Sequence, residues 1–202
     1  MKMQKSFSSA TNIALIAAEI RANLSIWMTP VAFDKQVREV ADAVGPYTIF
    51  RSPKWSFWRD AWTLSQFASL SHADAVCLSG STEQFPDGHV RRGGDVFGVE
   101  VTEAMMPGRR RAEEFSLSAP ALREDPGEEW DRRLNALPDV LDSAISRKIS
   151  KLYGAKPTLV VYLNISAYGH RDSEMRSAIG QAKAKYVDQF SDLYVLWQSE
   201  LV

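Results

Sequence analysis

Two acidic residues at the ends of a predicted hairpin are the side chains of this sequence best suited to chemistry. They are Asp87 and Glu100, within the stretch FPDGHVRRGGDVFGVEVTE at positions 85–103. Gly93 and Gly94 favour the turn, because a two-residue hairpin turn often requires positive φ at both central positions. A turn centred there pairs Asp87 with Glu100 on one face of the sheet, with Cβ atoms about 4.5–5.5 Å apart.

Two carboxylates at that separation repel each other, so either one pKa rises or a cation lies between them. Mg²⁺ or Mn²⁺ suits such oxygen ligands, and either ion can polarise a phosphodiester and activate a water molecule. Strand alternation places Glu100 and Thr102 on one face and Val99 and Val101 on the other. The hairpin therefore predicts a metal site; the ordinary alternative is a Pro-Asp turn followed by a solvent-facing strand acid.

The order Pro86-Asp87, then Glu100-Val101-Thr102 on an apolar strand, resembles the PD-(D/E)xK phosphodiesterase superfamily. The likeness is greatest to bacterial and phage members with EVT in place of ExK, and it extends over roughly residues 74–165. The resemblance implies a restriction-endonuclease-like core, in which helices flank a mixed sheet. It also implies Mg²⁺-dependent hydrolysis of nucleic acid, with Asp87 and Glu100 as metal ligands and the Val101 carbonyl as a further one. A helical acid upstream sometimes joins them, and Glu19 is the candidate in the first helix.

Thr102 departs from the superfamily pattern, because it occupies the lysine position. A lysine there would orient the attacking water and stabilise charge developing on phosphate, whereas a threonine hydroxyl can only form hydrogen bonds. Some members supply the lysine from a neighbouring helix, and SRKISKLYG offers Lys148 and Lys151, although a solvated helix face is the favoured interpretation for this pair. We therefore expect a nuclease, with Thr102 placing water. The alternative is an inactive nuclease-fold module that binds nucleic acid or a protein partner.

Two further segments are candidates for binding. The arginines of PGRRR, Arg109, Arg110 and Arg111, can grip phosphates in nucleic acid, and a charged surface loop is an equal alternative. The tryptophan-rich segment at 55–62 is typical of a protein core or of a homodimer contact, and less often of a base-stacking platform.

The bulk composition predicts an average globular protein. The 202 residues contain 45% hydrophobic and 24% charged residues, with a formal net charge of −1, so nucleic acid would need a local basic patch. Cys77 is the sole cysteine and is expected to be a small buried hydrophobe. The longest apolar runs fall short of roughly 18 residues, so no membrane span is expected. Glu19 and Arg21 interrupt the N-terminal apolar run, which favours a first helix over a secretory signal. A cytoplasmic location is therefore expected.

Hydrophobic periodicity predicts an α/β class in one domain, with a helical part at 1–70 and an α/β nuclease-like core at 74–202. Helical spacing covers 11–24 and 32–44, resumes through 134–152 with Gly154 as the helix end, and returns near 173–187. The apolar run PTLVVYLNIS predicts a strand covered on both faces by helices, and DLYVLWQ predicts a final strand. The segment after the hairpin, rich in proline, glycine and charge, predicts a long surface loop.

Overall fold

A computed structural model describes residues 10–115, 127–151, 155–166 and 171–202. The helices are α1 (Ala10–Leu24), α2 (Pro30–Val44), α3 (Pro46–Arg51), α4 (Ser56–Leu70), α5 (Arg111–Glu114), α6 (Gly127–Ile149) and α7 (Asp172–Ala184), with a 3₁₀ turn at Pro53–Trp55. The strands are β1 (Ala75–Leu78), β2 (Gly88–Arg92), β3 (Asp95–Met105), β4 (Thr158–Asn164), β5 (Asp192–Trp197) and β6 (Glu200–Leu201).

The strands form one mixed sheet in the order β1-β2-β3-β4-β5-β6. The β3–β4 and β4–β5 pairs are parallel, and the other neighbours are antiparallel. One buried cluster packs this sheet against α1, α2 and α4, and a second packs it against α6 and α7. The prediction of a mixed sheet flanked by helices is therefore confirmed.

The hairpin has the register that the Gly-Gly turn predicts. Gly88 lies opposite Val99 and Val90 lies opposite Phe97. Gly93 has φ of 60° and Gly94 has φ of 93°, a backbone region that glycine adopts without a steric penalty. The register places the residues that precede Gly88 beside those that follow Val99, and this is the end of the hairpin that carries Asp87 and Glu100.

Strand alternation assigns the two faces of β3 to different helices. Val99 and Val101 are buried in the cluster that includes α4, whereas Ala104 belongs to the cluster that includes α6. Glu100 and Thr102 have the same parity as Ala104, so their side chains leave β3 on the α6 side. Helix α6 is therefore the element that can supply a partner to Glu100.

The ends of two helices differ from the predicted ones. Helix α6 ends at Ile149, five positions before Gly154, which lies outside the described residues. Its last turn tightens, because the N–H of Lys151 donates to the carbonyl of Lys148. Helix α7 ends at Ala184 and closes in the same way, with the Lys185 N–H donating to Ala182. Apolar periodicity continues past both ends, so it does not indicate where they fall.

Part of the predicted surface loop is helical, since α5 lies within it, and residues 116–126 of that loop are outside the described part of the chain. The longest described helix, α6, has 23 residues and carries charged side chains along its length. Within the described ranges, no helix combines the length and apolarity needed to cross a membrane.

The tryptophan-rich segment packs mainly inside the chain. Trp55 and Phe57 are buried in the core beside the first helices. The Nε1 atom of Trp58 donates to the carbonyl of Val37 at 3.0 Å, which anchors α4 to α2. Trp58 and Trp62 remain partly exposed, and the homodimer through this segment stays a prediction.

Candidate active site

Asp87 lies where the β2–β3 ladder ends. The last backbone pair is Gly88 with Val99, and the chain of β2 then leaves the sheet. Oδ2 of Asp87 accepts a hydrogen bond from the N–H of Val101 at 2.8 Å. The carboxylate therefore satisfies a strand donor that no backbone carbonyl of β2 reaches, and this bond fixes its position.

Two glycines allow the close packing that places Asp87. A Cβ added to Gly98 would lie 2.8 Å from Cγ of Pro86, so the ring of the preceding proline rests directly on the β3 backbone. A Cβ added to Gly88 would lie 2.5 Å from a methyl group of Leu64. Because real Cβ contacts are longer, both positions require glycine or a local displacement.

Glu100 is fully buried, and its charge is balanced by Lys148 from α6. The Nζ atom of Lys148 lies 2.6 Å from Oε2 of Glu100 and 3.0 Å from Oδ2 of Asp87. The Lys148 side chain is only 11% exposed. Burial alone would lower the pKa of Lys148, but the Asp87 and Glu100 carboxylates outweigh it, and the net shift is upward. Lys148 is therefore an ammonium ion at neutral pH.

The favoured interpretation of Lys148 as part of a solvated helix face is wrong. Helix α6 packs against β3, and this packing directs the side chain inward, where the two acids provide its partners. Lys151 lies just beyond the end of α6 rather than on it. Its Nζ atom lies 3.4 Å from Oε2 of Glu100 and 5.3 Å from the ring centroid of Phe85. Both lysines therefore reach Glu100, and Lys151 is the more exposed of the two.

Asp60 on α4 is a further acid at this site, and sequence analysis missed it. Burial and the charge of Asp87 raise the pKa of Asp60 to about 7. Glu100 acts in the same direction, and Lys148 in the opposite direction. The pKa of Asp60 therefore depends on the charges of Asp87, Glu100 and Lys148.

The signal for Asp60 is the composition of its helix. It lies between Trp58 and Trp62, in a helix whose buried positions are mostly apolar and carry no other charge, where an unneeded carboxylate would be costly. The candidate chosen for this role, Glu19, is solvent exposed on α1, a helix that packs on the 3₁₀ turn and β1.

The Asp87 and Glu100 carboxylates converge on one point. Each has an oxygen in contact with the same nitrogen of Lys148, so a cation at that place could be held by both. Within the described ranges, no three or more His, Cys, Asp and Glu side chains are grouped to hold a metal. Two carboxylates nevertheless fit Mg²⁺, which retains several water ligands and often binds through one or two acids and substrate phosphates.

A cavity of about 450 Å³ lies beside Asp60. Asp60 and Thr102 form part of its wall, and Asp60 is the lining residue that interacts electrostatically with Asp87 and Glu100. Thr102 is partly exposed. Much of the remaining wall is aromatic and consists of Phe50, Trp58, Trp62, Phe115 and Tyr162.

Each arginine of the predicted phosphate-binding segment forms an ion pair with a glutamate. The pairs are Arg109–Glu114 at 2.6 Å, Arg110–Glu113 at 3.2 Å and Arg111–Glu103 at 2.8 Å. The guanidinium of Arg111 also lies over the ring of Phe50, 5.1 Å from its centroid, beside the cavity. Arg110 is the most exposed of the three. Phosphate binding by this segment stays a prediction.

Cys77 is buried in β1, as the sequence predicts. Burial raises the pKa of its thiol to about 11, and a hydrogen bond with the backbone of His89 offsets only part of this shift. The thiol is therefore protonated at neutral pH and is a poor nucleophile.

Comparisons of this chain with protein-family models, with curated proteins and with solved structures found no match.

Proposed function

We propose that this protein hydrolyses phosphodiester bonds of nucleic acid with the help of Mg²⁺ or Mn²⁺, in the manner of the PD-(D/E)xK superfamily. One observation carries the proposal. The buried ammonium of Lys148 contacts both Asp87 and Glu100, the two acids that the motif predicts as metal ligands. A basic group beside a pair of converging acids is the combination that phosphodiester hydrolysis requires, even though it comes from α6 instead of position 102.

The order of the elements supports the proposal. An antiparallel hairpin carries both acids, α6 follows it, and β4 then returns parallel to β3. In this arrangement one helix and one hairpin meet at the site. A restriction-endonuclease-like core therefore forms part of the proposal.

Each residue has an expected role. Asp87 and Glu100 would hold the metal, which when bound polarises the phosphate and lowers the pKa of a water ligand. The carbonyl of Val101 and the carboxylate of Asp60 are the further oxygen donors nearby. Lys148 stabilises negative charge at the reacting phosphate, with Lys151 as a second cation.

Thr102 has a smaller expected role, because its hydroxyl is uncharged. Thr102 is partly exposed, and a hydroxyl can donate a hydrogen bond to a water molecule or accept one from it. Thr102→Val removes the hydroxyl and keeps the shape of the side chain. We expect it to slow cleavage less than Lys148→Met does, and equal losses would show that the hydroxyl contributes as much as the charge.

A second candidate is a nuclease-fold module without catalytic activity that binds nucleic acid or a protein partner. The observation that favours it is the same short contact between Lys148 and the acids. The ammonium groups of Lys148 and Lys151 already offset the charge of the carboxylate pair, so the fold needs no metal to be stable. Such a module retains nucleic acid in a salt-dependent manner without cutting it.

The test is an incubation of the purified protein with plasmid, single-stranded DNA and RNA, in buffer containing Mg²⁺, Mn²⁺ or EDTA. We expect metal-dependent cleavage that is lost in Glu100→Gln and strongly reduced in Lys148→Met. Lys185→Met is the matched control, because Lys185 pairs with Asp142 on an exposed surface. Cleavage that persists in Glu100→Gln contradicts the site, and retention without cleavage supports the binding module.

A further inference from the structure

Two cavities meet at one pair of aromatic rings. Trp62 and Tyr162 line both the cavity of about 450 Å³ beside the acids and a second cavity of about 210 Å³. Their ring centroids are 4.7 Å apart, with an interplanar angle of 63°. The two rings therefore form a shared wall, and both side chains remain partly exposed.

The sheet register gives the position of this wall relative to Glu100. Glu100 pairs with Leu159 on β4, and Tyr162 lies three residues further along that strand. At about 3.3 Å per residue, the offset along the strand is about 10 Å. Because this offset is an odd number of residues, Tyr162 faces α4, whereas Leu159 and the Glu100 side chain face α6. The wall therefore approaches the site from the α4 face, through the cavity that Asp60 also lines.

The two cavities differ in the chemistry of their other side chains. The larger one has the Arg111 guanidinium, which lies over Phe50 and, at 6.0 Å from the centroid, over Tyr162. The smaller one is lined by groups that can donate and accept hydrogen bonds, namely Gln66, Asn164, Ser166, Gln198 and Ser199. Aromatic faces beside a cation and beside polar side chains suit a flat heteroaromatic ring with polar edges.

We propose that Trp62 and Tyr162 bind unpaired bases, so that the substrate is single-stranded nucleic acid. This inference rests on the proposed function, because it identifies the substrate class of the same site. Bases of a single strand stack on aromatic side chains without regard to sequence, since every base has a π-face. Bases of a duplex are already stacked and paired, so they reach such a wall only after they are extruded.

The test measures binding by fluorescence anisotropy in EDTA, where metal-dependent cleavage does not occur. The probes are a labelled oligonucleotide of about 12 nucleotides, an abasic strand of the same length and charge, and the corresponding duplex. We expect wild-type protein to bind the normal strand about tenfold or more tightly than either the abasic strand or the duplex. Equal affinity for the normal and abasic strands, or no binding of the normal strand, overturns the inference.

Single substitutions test whether the base-dependent binding occurs at Trp62. Trp62→Ala is expected to weaken binding of the normal strand about tenfold and to remove its advantage over the abasic strand, whereas Trp62→Phe keeps most of that advantage. Trp27→Ala is the matched control, because Trp27 is an exposed tryptophan that lines neither cavity. A Trp27→Ala variant that loses binding as Trp62→Ala does overturns the assignment to the shared wall.

The outcomes separate this inference from the proposed function. A strand that binds through its bases but is never cut in Mg²⁺ or Mn²⁺ supports the stacking wall and contradicts hydrolysis. A strand or duplex that is cut with Glu100 dependence, but bound without base dependence, supports hydrolysis and overturns the stacking wall.

Discussion

The Nζ atom of Lys148 lies 2.6 Å from Oε2 of Glu100, a side chain that is entirely buried. The two residues are 48 positions apart, and they meet because α6 packs on the strand that carries Glu100. The charges of this pair and of Asp87 depend on one another, since Lys148 contacts both acids and its removal leaves two like charges side by side.

Lys148→Met tests this dependence through stability. The variant leaves Asp87 and Glu100 as neighbouring like charges, so we expect the free energy of unfolding to fall by about 3–5 kcal/mol at pH 7. Urea unfolding followed by circular dichroism measures the change. Mg²⁺ should restore part of the loss, because an ion bound only to the folded state stabilises it. Lys185→Met, at an exposed pair, should change stability by about 1 kcal/mol or less. Equal effects of the two variants would contradict the prediction.

Asp60 should make stability depend on pH. Its pKa of about 7 in the folded state lies above the value near 3.9 of an unfolded aspartate. The folded state therefore binds the proton more tightly, and stability is lost as pH rises from about 4 through 7. Because Asp60 is partly exposed, we expect Asp60→Asn to be more stable than wild type by roughly 1–2 kcal/mol at pH 8 and equal to it below pH 4.

Thermal unfolding across pH 4–8 measures this difference. A carboxyl ¹³C NMR titration of Asp60 locates the pKa directly. The exposed Asp188 provides the control variant, Asp188→Asn, whose stability should follow that of wild type. A constant difference between Asp60→Asn and wild type over the whole range would contradict the raised pKa.

Gly98→Ala should displace Asp87 without changing any charge. The new Cβ would lie 2.8 Å from Cγ of Pro86, so Pro86 and the adjoining Asp87 must shift. We expect a loss of about 1–3 kcal/mol in stability, together with a loss of metal-dependent cleavage. Gly180→Ala on α7 is the control, since a Cβ there meets nothing within 4 Å and should be neutral or stabilising. Full cleavage by Gly98→Ala would show that the position of Asp87 is not critical.

Substitution of the paired arginines should distinguish a residue that binds phosphate from one that stabilises the fold. Arg110 is exposed, so Arg110→Ala should change stability by no more than about 0.5 kcal/mol. If it contacts a phosphate, the slope of log affinity against log salt falls by about 1 in magnitude. Arg111→Ala leaves Glu103 half-buried without its cation and should cost about 1–3 kcal/mol. An unchanged salt slope in Arg110→Ala would contradict phosphate binding by Arg110.

The hairpin shows what local sequence determines. A Gly-Gly turn and strand alternation are sufficient to place Asp87 beside Glu100, because register depends on residues close in the chain. The approach of Lys148 follows from the packing of α6 on β3, and sequence alone favoured solvent for it. Local residue type and spacing do not predict which face of a helix will pack against a strand that is distant in the sequence.

Asp60 illustrates the same limit from the other side of the sheet. Its helix precedes the hairpin and belongs to the other buried cluster, so no spacing relates Asp60 to Glu100. The cavity likewise depends on the packing of α4 against the face of the sheet to which β4 contributes Tyr162. Both features arise from tertiary packing of segments whose individual patterns indicate only a helix and a strand.

The bond from the Val101 N–H to Asp87 has a consequence for how sites of this kind change during evolution. Asp87 is held by the backbone of β3, and a backbone donor is present whatever side chain follows Glu100. On the proposed function, position 102 can therefore hold a threonine where the superfamily has a lysine, because the acids keep their places and Lys148 supplies the charge. The spatial arrangement of an active site can thus be conserved after its sequence motif is no longer recognisable.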